Sequence, residues 1–120
     1  MSHIVTVQTQ LRDPLAVAAA CARLQLPAPV EGTAQLYSGQ AAGLLVQLPD
    51  WKYPLVIDCA QGELRFDDYG GQWGDRRSLD HFLQTYAIEK VRIEGRQRGY
   101  QVTEQALADG SVKLQLQEHV

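Results

Sequence analysis

The segment from residue 33 to residue 66 limits most strongly what this chain can fold into, because four short runs of strand-forming residues alternate there with turn-forming residues. The predicted strands are residues 33–37, 43–48, 53–58 and 63–66, and the turns between them contain Ser38-Gly39-Gln40, Pro49-Asp50 and Gln61-Gly62. Short connections join antiparallel neighbours, so the pattern predicts an antiparallel four-stranded meander. The continuous apolar runs 44–46 and 55–57 place the second and third of these strands in the interior of the sheet.

A strand and a helix are predicted before the meander. Residues 4–9 are rich in β-branched side chains and alternate with the period of a half-buried strand. Asp13 and Pro14 are a preferred N-cap and first helical residue, which predicts a helix from Pro14 to about Leu24. Its mostly small side chains, Leu15, Ala18, Ala19 and Ala22, are predicted to face the sheet.

A second helix and a hairpin are predicted after the meander. The helix runs from Ser78 to about Arg98, with Leu79, Phe82, Leu83 and Tyr86 on its buried face. Asp109-Gly110 is a strong hairpin-turn signal, and it is followed by the alternating residues 112–117. The sequence therefore predicts an α+β fold in a single domain over residues 1–120: a mainly antiparallel sheet, in the order strand, helix, four-strand meander, helix and hairpin, with two helices packed on one face.

Charge and apolar patterning argue against two classes of partner, nucleic acids and membranes. The 120 residues carry a net charge of −3, which argues against nucleic acid as the main partner. Weak nucleic-acid binding would require the basic face formed by Lys90, Arg92, Arg96 and Arg98, where Glu89 and Glu94 neutralise much of the charge. No apolar run has the length of a membrane span and the first residues do not resemble a secretion signal, so a cytoplasmic protein without membrane contact is predicted.

No motif predicts a catalytic centre, a cofactor or a metal site. Cys21 and Cys59 lie in apolar surroundings without the spacing of a zinc or redox motif, and both are predicted to be reduced core residues. The three histidines, His3, His81 and His119, have no cysteine or carboxylate at ligand spacing. The carboxylates of Asp58, Asp67, Asp68 and Asp75 surround a glycine-rich loop, where they either form turns or meet in a cleft suited to acid–base chemistry or magnesium binding.

Aromatic residues in two turn regions are the strongest candidates for binding. Trp51 and Tyr53 lie in one region, and Tyr69 and Trp73 in the other, close to Arg76. Indole combines a large apolar area with one hydrogen-bond donor, so these side chains either cover the core or contact a partner. Basic side chains nearby, Lys52, Arg76 and Arg77, either pair with an anionic ligand or are solvated.

Both ends of the chain resemble one protein family. The start Met1-Ser2-His3 followed by Thr9-Gln10-Leu11-Arg12-Asp13, the Tyr86-Ala87 pair, and residues 99–105 with 109–114 are similar to the hypothetical chloroplast reading frame thirty-five family of plastids, cyanobacteria and other bacteria. The resemblance covers nearly the full chain and is weakest in the meander. It implies no catalytic residue here. It does imply a cytoplasmic location, stromal in plastids, and a partner such as a small companion protein or a ring-type ATPase.

Three functions follow as hypotheses. The first is a non-enzymatic protein-binding or adaptor module of a multi-protein bacterial system, with Trp51, Tyr53, Tyr69, Trp73 and Arg76 as contact residues. The second is a small-molecule-binding or enzymatic domain that uses the loop carboxylates around Asp67 to Asp75. Nucleic-acid binding is the third. The oligomeric state is left open.

Overall fold

Residues 4–118 are described by the computed structural model, which has an α+β fold and confirms the predicted fold class. Its elements are β1 (Val5–Gln8), α1 (Pro14–Arg23), β2 (Val30–Leu36), β3 (Gly39–Val46), β4 (Leu55–Asp58), β5 (Glu63–Phe66), a 3₁₀ turn (Tyr69–Gly71), α2 (Arg76–Gln97), β6 (Tyr100–Ala106) and β7 (Val112–Glu118). The predictions for Met1, Ser2, His3 and His119 lie outside the described residues.

The first five strands form one antiparallel sheet in the order β1-β5-β4-β3-β2. This confirms the predicted meander, and β3 and β4, which carry the continuous apolar runs, are interior strands. The N-terminal strand closes the sheet by pairing with the last strand of the meander, so that Val5 lies opposite Phe66. Alternate residues of β4 point to opposite faces: Leu55 and Ile57 join the main core, and Val56 joins a smaller cluster on the other face.

Helix α1 begins where the sequence predicts but buries a different face. The Asp13 carboxylate accepts a hydrogen bond from the Leu15 N–H at 2.9 Å, as an N-cap should. The predicted face is wrong, because Leu15 is 67% exposed and the buried residues are Ala16, Val17, Ala20 and Cys21. Every residue from 15 to 22 is apolar, so the sequence does not distinguish faces one residue apart. The face that contains Val17 and Cys21 is the one that packs into the main core.

Helix α2 buries the predicted side chains Leu79, Phe82 and Tyr86 in the main core, and Leu83 packs against that core from its edge. The Tyr86 hydroxyl accepts hydrogen bonds from the N–H groups of Arg12 and Asp13 and donates one to the Gln10 carbonyl. One side chain of α2 therefore satisfies three backbone groups of the loop between β1 and α1, and it fixes the direction in which α1 leaves the sheet.

The hairpin of β6 and β7 is a separate two-stranded sheet that packs along α2. Gly99, with φ of 81°, turns the chain back immediately after the helix. The approach is close, since a Cβ at Gly95 would lie 2.7 Å from Cγ2 of Val102. At the other end of the hairpin, the Gln84 side-chain amide donates to the Gly110 carbonyl at 3.0 Å. The sequence predicts this hairpin correctly but does not show that it stands apart from the main sheet.

Glu104 on β6 ties the hairpin to both helices. Its carboxylate pairs with Arg23 at the end of α1 and, at 2.8 Å, with Arg92 on α2. The hydrogen bond from Arg23 is the main cause that holds the pKa of Glu104 below its ordinary value of 4.5; partial burial opposes this effect, and the charges of both arginines add to it. The ionised form of Glu104 is therefore favoured by folding.

This ion-pair network predicts a pH-dependent loss of stability. Because the pKa of Glu104 is lower in the folded protein than in the unfolded chain, its contribution is fully present above the ordinary value of 4.5 and is lost as pH falls through the lowered pKa. We expect Glu104→Gln to lower the free energy of unfolding by about 1 kcal/mol near neutral pH. Urea unfolding at about pH 7 and about pH 3 measures the free energy of unfolding of both proteins, and the difference between Glu104→Gln and wild type should shrink at the lower pH. An equal difference at the two pH values would contradict the stabilising role of the Glu104 carboxylate.

Candidate functional site

Four aromatic rings from three separate segments meet at one place on the surface. Trp73 stacks on Tyr69 with ring centroids 4.7 Å apart and an interplanar angle of 22°. Tyr53 meets the Trp73 ring edge-on at 5.7 Å, and Tyr37 contacts it at 5.4 Å with a tilt of 53°. Tyr37, Tyr53, Tyr69 and Trp73 are called the Trp73 cluster below.

Strand order and backbone hydrogen bonds bring the Trp73 cluster together. Tyr37 lies in the turn between β2 and β3, and Tyr53 precedes β4. Tyr69 and Trp73 belong to the loop between β5 and α2, which folds back so that the Lys52 N–H donates to the Trp73 carbonyl at 2.9 Å. The sequence identified three of these rings and missed Tyr37. The only sequence feature that points to Tyr37 is that it is a large aromatic residue beside the predicted turn Ser38-Gly39.

The rings of the Trp73 cluster are partly accessible and keep their polar groups available. Tyr37 is 62% exposed, and the other three rings are half-buried. Among residues 4–118, hydrogen bonds of aromatic side chains are made by Trp51 and Tyr86, and none is made by the cluster. The surface therefore offers apolar area together with three hydroxyls and one indole N–H, the combination that is enriched where proteins contact partners.

An ammonium group of the chain itself already lies on this cluster. The Lys52 Nζ lies 4.3 Å from the Trp73 ring centroid and 5.5 Å from that of Tyr53. Both distances are in the range of cation–π attraction. Lys52 is exposed, and its ammonium makes no ion pair with a carboxylate of the described residues.

Two of the predicted contact residues have structural roles. Trp51 is only 4% exposed; it packs edge-on against Phe66 at 5.8 Å, and its indole N–H donates to the Asp75 carbonyl at 3.1 Å. Trp51 is therefore a packing residue and not available for direct contact. Arg76 keeps an exposed side chain, but its guanidinium pairs with Asp68 and lies 4.7 Å over the Phe66 ring.

The four predicted carboxylates separate into different local roles. Asp58 accepts a hydrogen bond from the Gln61 N–H in a turn, and Asp75 caps α2 by accepting from the Arg77 N–H. Hydrogen bonds from the Arg77 side chain and backbone lower the pKa of Asp75. Asp68 is buried and paired with Arg76. Each of these three carboxylates therefore stabilises the fold locally.

Asp67 differs from the other three carboxylates. It has no exposed surface, and its Oδ2 accepts one long hydrogen bond, 3.4 Å, from the Ser38 hydroxyl. Its Oδ1 is buried and has no hydrogen-bond partner among the described residues. An unpaired buried carboxylate oxygen is unfavourable, so this position lowers the stability of the fold unless a water or an ion binds there.

An apolar cavity lies away from these carboxylates. It has a volume of about 530 Å³ and is an apolar groove between the β1–α1 loop and α2, with Leu11, Leu83, Tyr86 and Val91 among its lining residues. Lys90, also on its wall, pairs at 3.0 Å with both Asp13 and Glu94, and these partners raise the pKa of Lys90. These two ion pairs satisfy the ammonium of Lys90 at the edge of the groove.

Two of the four side chains of the basic face predicted on α2 form ion pairs with carboxylates of the same chain. Lys90 and Arg92 both form ion pairs, whereas Arg96 and Arg98 are exposed.

His81 lies on α2, and residues 4–118 contain no group of three or more possible metal ligands from histidine, cysteine and acidic side chains. Cys21 is buried and Cys59 half-buried, both are unpaired, and burial raises the pKa of each thiol.

Across residues 4–118, neither helix is both long enough and apolar enough to cross a membrane. Comparisons of the chain with protein-family models, with curated proteins and with solved structures give no match. The resemblance to the hypothetical chloroplast reading frame thirty-five family stays a prediction.

Proposed function

We propose that this protein is a small, non-enzymatic protein-binding or adaptor module that contacts its partner through the Trp73 cluster. The observation that supports this proposal is the meeting of four rings at the surface with all their polar groups unpaired within residues 4–118. The resemblance noted above favours a small companion protein or a ring-type ATPase as the partner, in a cytoplasmic bacterial assembly.

An aromatic surface of this kind is suited to a protein partner. Tyrosine and tryptophan bring large contact area with few rotatable bonds, so little conformational entropy is lost when they are fixed in an interface. Here mutual packing already restricts the rings, because Trp73 contacts the other three. Tyr37, Tyr53, Tyr69 and Trp73 are the proposed contact residues, with Lys52 and Arg76 beside them.

Affinity purification of the tagged protein from its source cells, followed by mass spectrometry, tests the proposal. We expect a stoichiometric partner with the wild type and its loss with Tyr53→Ala, Trp73→Ala, since central aromatic contacts cost 2 kcal/mol or more, about 30-fold in affinity. Leu15→Ala is the control, because Leu15 is an exposed apolar residue on α1 outside the cluster. Equal recovery by the folded double variant would contradict the proposed surface.

Small-molecule binding is the second candidate, and the apolar groove beside α2 favours it. Its volume of about 530 Å³ falls in the range of ligand sites. The enzymatic form of this hypothesis placed the chemistry on loop carboxylates, and none of Asp58, Asp67, Asp68 and Asp75 lines the groove. Failure to capture any protein with the intact Trp73 cluster would favour this candidate.

A further inference from the structure

The Trp73 cluster holds an ammonium group in the free protein, and this points to the chemistry of what it binds. We propose that the cluster recognises a cationic side chain, lysine or arginine, of the partner protein, and that Lys52 occupies the position of that cation until the partner displaces it. This inference rests on the proposed function and specifies the partner's chemistry.

The geometry leaves one face of Trp73 for a cation. Tyr69 stacks on the indole at 4.7 Å, a separation too small to admit an ammonium between the two rings. The Lys52 Nζ, 4.3 Å from the same centroid, therefore lies over the opposite face. Tyr53, edge-on to Trp73, also places its ring within 5.5 Å of the ammonium. Two rings at a steep angle around one cation resemble the aromatic cages that bind ammonium ligands.

The nearby charges favour a cation over an anion. Between residues 67 and 77 the charged side chains are Asp67, Asp68, Asp75, Arg76 and Arg77, three negative and two positive, which leaves one net negative charge. Arg76 pairs with Asp68 and Arg77 with Asp75, which leaves the fully buried Asp67 without an ion pair among the described residues. Asp67 also keeps one carboxylate oxygen without a partner. Buried negative charge attracts cations more strongly because solvent screens it less.

Lys52 is held in a way that permits exchange. Its backbone is fixed by the hydrogen bond from its N–H to the Trp73 carbonyl and by the buried neighbour Trp51. The ammonium itself has only the two rings as partners among the described residues. An exposed cation–π contact strengthens an equilibrium by roughly two- to five-fold, so an incoming cation with further contacts can displace it.

The test uses tetramethylammonium chloride as the probe, with sodium chloride at matched concentration to correct for ionic strength. The chain has two tryptophans, so its nitrogen-15 spectrum contains two indole N–H signals, which Trp73→Phe assigns. We expect Lys52→Met to bind the probe about threefold more tightly than the wild type, read from the Trp73 signal. The signal of buried Trp51 should stay unchanged.

Lys113→Met is the matched control, because it removes the same charge from an exposed lysine on β7. Tighter binding by Lys52→Met than by Lys113→Met supports exchange at the cluster, and equal binding by the two overturns it. A response of the Trp73 signal to sodium acetate that equals its response to the cation would also overturn it. If the partner is captured through Trp73 but Lys52→Met does not bind tetramethylammonium more tightly than the wild type, this inference fails while the proposed function stands. If no partner is captured, the titration with tetramethylammonium still decides whether the cluster binds cations.

Discussion

Trp51→Ala is expected to lower the free energy of unfolding by about 3–5 kcal/mol, the range found when a large aromatic side chain is removed from a core. Trp51 is 4% exposed and packs against Phe66 of β5, so its loss leaves a cavity in the main core. The same change removes the hydrogen bond from the indole N–H to the Asp75 carbonyl. Because Asp75 caps α2, the start of the long helix loses support as well.

Urea unfolding followed by circular dichroism measures this effect, and Trp73→Ala is the matched comparison. Trp73 is half-buried and its neighbours are other surface rings, so we expect its loss to cost about 1 kcal/mol. Equal destabilisation by the two variants would contradict the division of roles between the tryptophans. If Trp51→Ala were added to the capture experiment, any loss of the partner would arise through the fold, whereas Trp73→Ala acts in a protein of nearly normal stability.

The sequence could not separate these two roles. Both tryptophans lie in turn-like segments with polar or glycine neighbours, and nothing local distinguishes them. The difference comes from the order of the strands: β4 and β5 are adjacent, so the segment before β4 reaches Phe66 at the end of β5. Contacts between segments far apart in sequence depend on the packed sheet, and a single sequence does not contain them explicitly.

Local features were predictable because their causes are local. The Asp13 cap, the antiparallel meander and the Asp109-Gly110 hairpin each depend on a few neighbouring residues, and each is present. The predicted buried face of α1 was wrong because residues 15–22 are all apolar and leave no polar side to mark the exposed face. Likewise, the three hydrogen bonds of the Tyr86 hydroxyl join α2 to a loop more than 70 residues earlier. Long-range pairing of this kind leaves no periodic signal.

Gly74→Ala is expected to destabilise the protein by about 3 kcal/mol, at the upper end of what overpacking costs. A Cβ at this position would overlap the indole of Trp51, with atoms Cδ2, Cε2 and Cε3 nearest to it. Gly74 does not have a left-handed backbone, so the cost comes from this collision and not from backbone strain. The loop must pass close to the ring because the Lys52 N–H binds the Trp73 carbonyl and the Trp51 indole binds the Asp75 carbonyl.

A double-mutant cycle isolates the collision from other effects of the new methyl group. In a Trp51→Ala background the obstructing ring is absent, so Gly74→Ala should cost less than about 1 kcal/mol, and the coupling between the sites should reach about 2 kcal/mol. Gly32→Ala is the control, because its Cβ would lie at an ordinary contact distance of 3.7 Å from Leu45 Cδ1. Equal costs of Gly74→Ala in both backgrounds, measured by urea unfolding, would show that the two residues do not touch. The predicted coupling instead makes Trp51 and Gly74 one unit that holds the loop, and with it Trp73, at the surface.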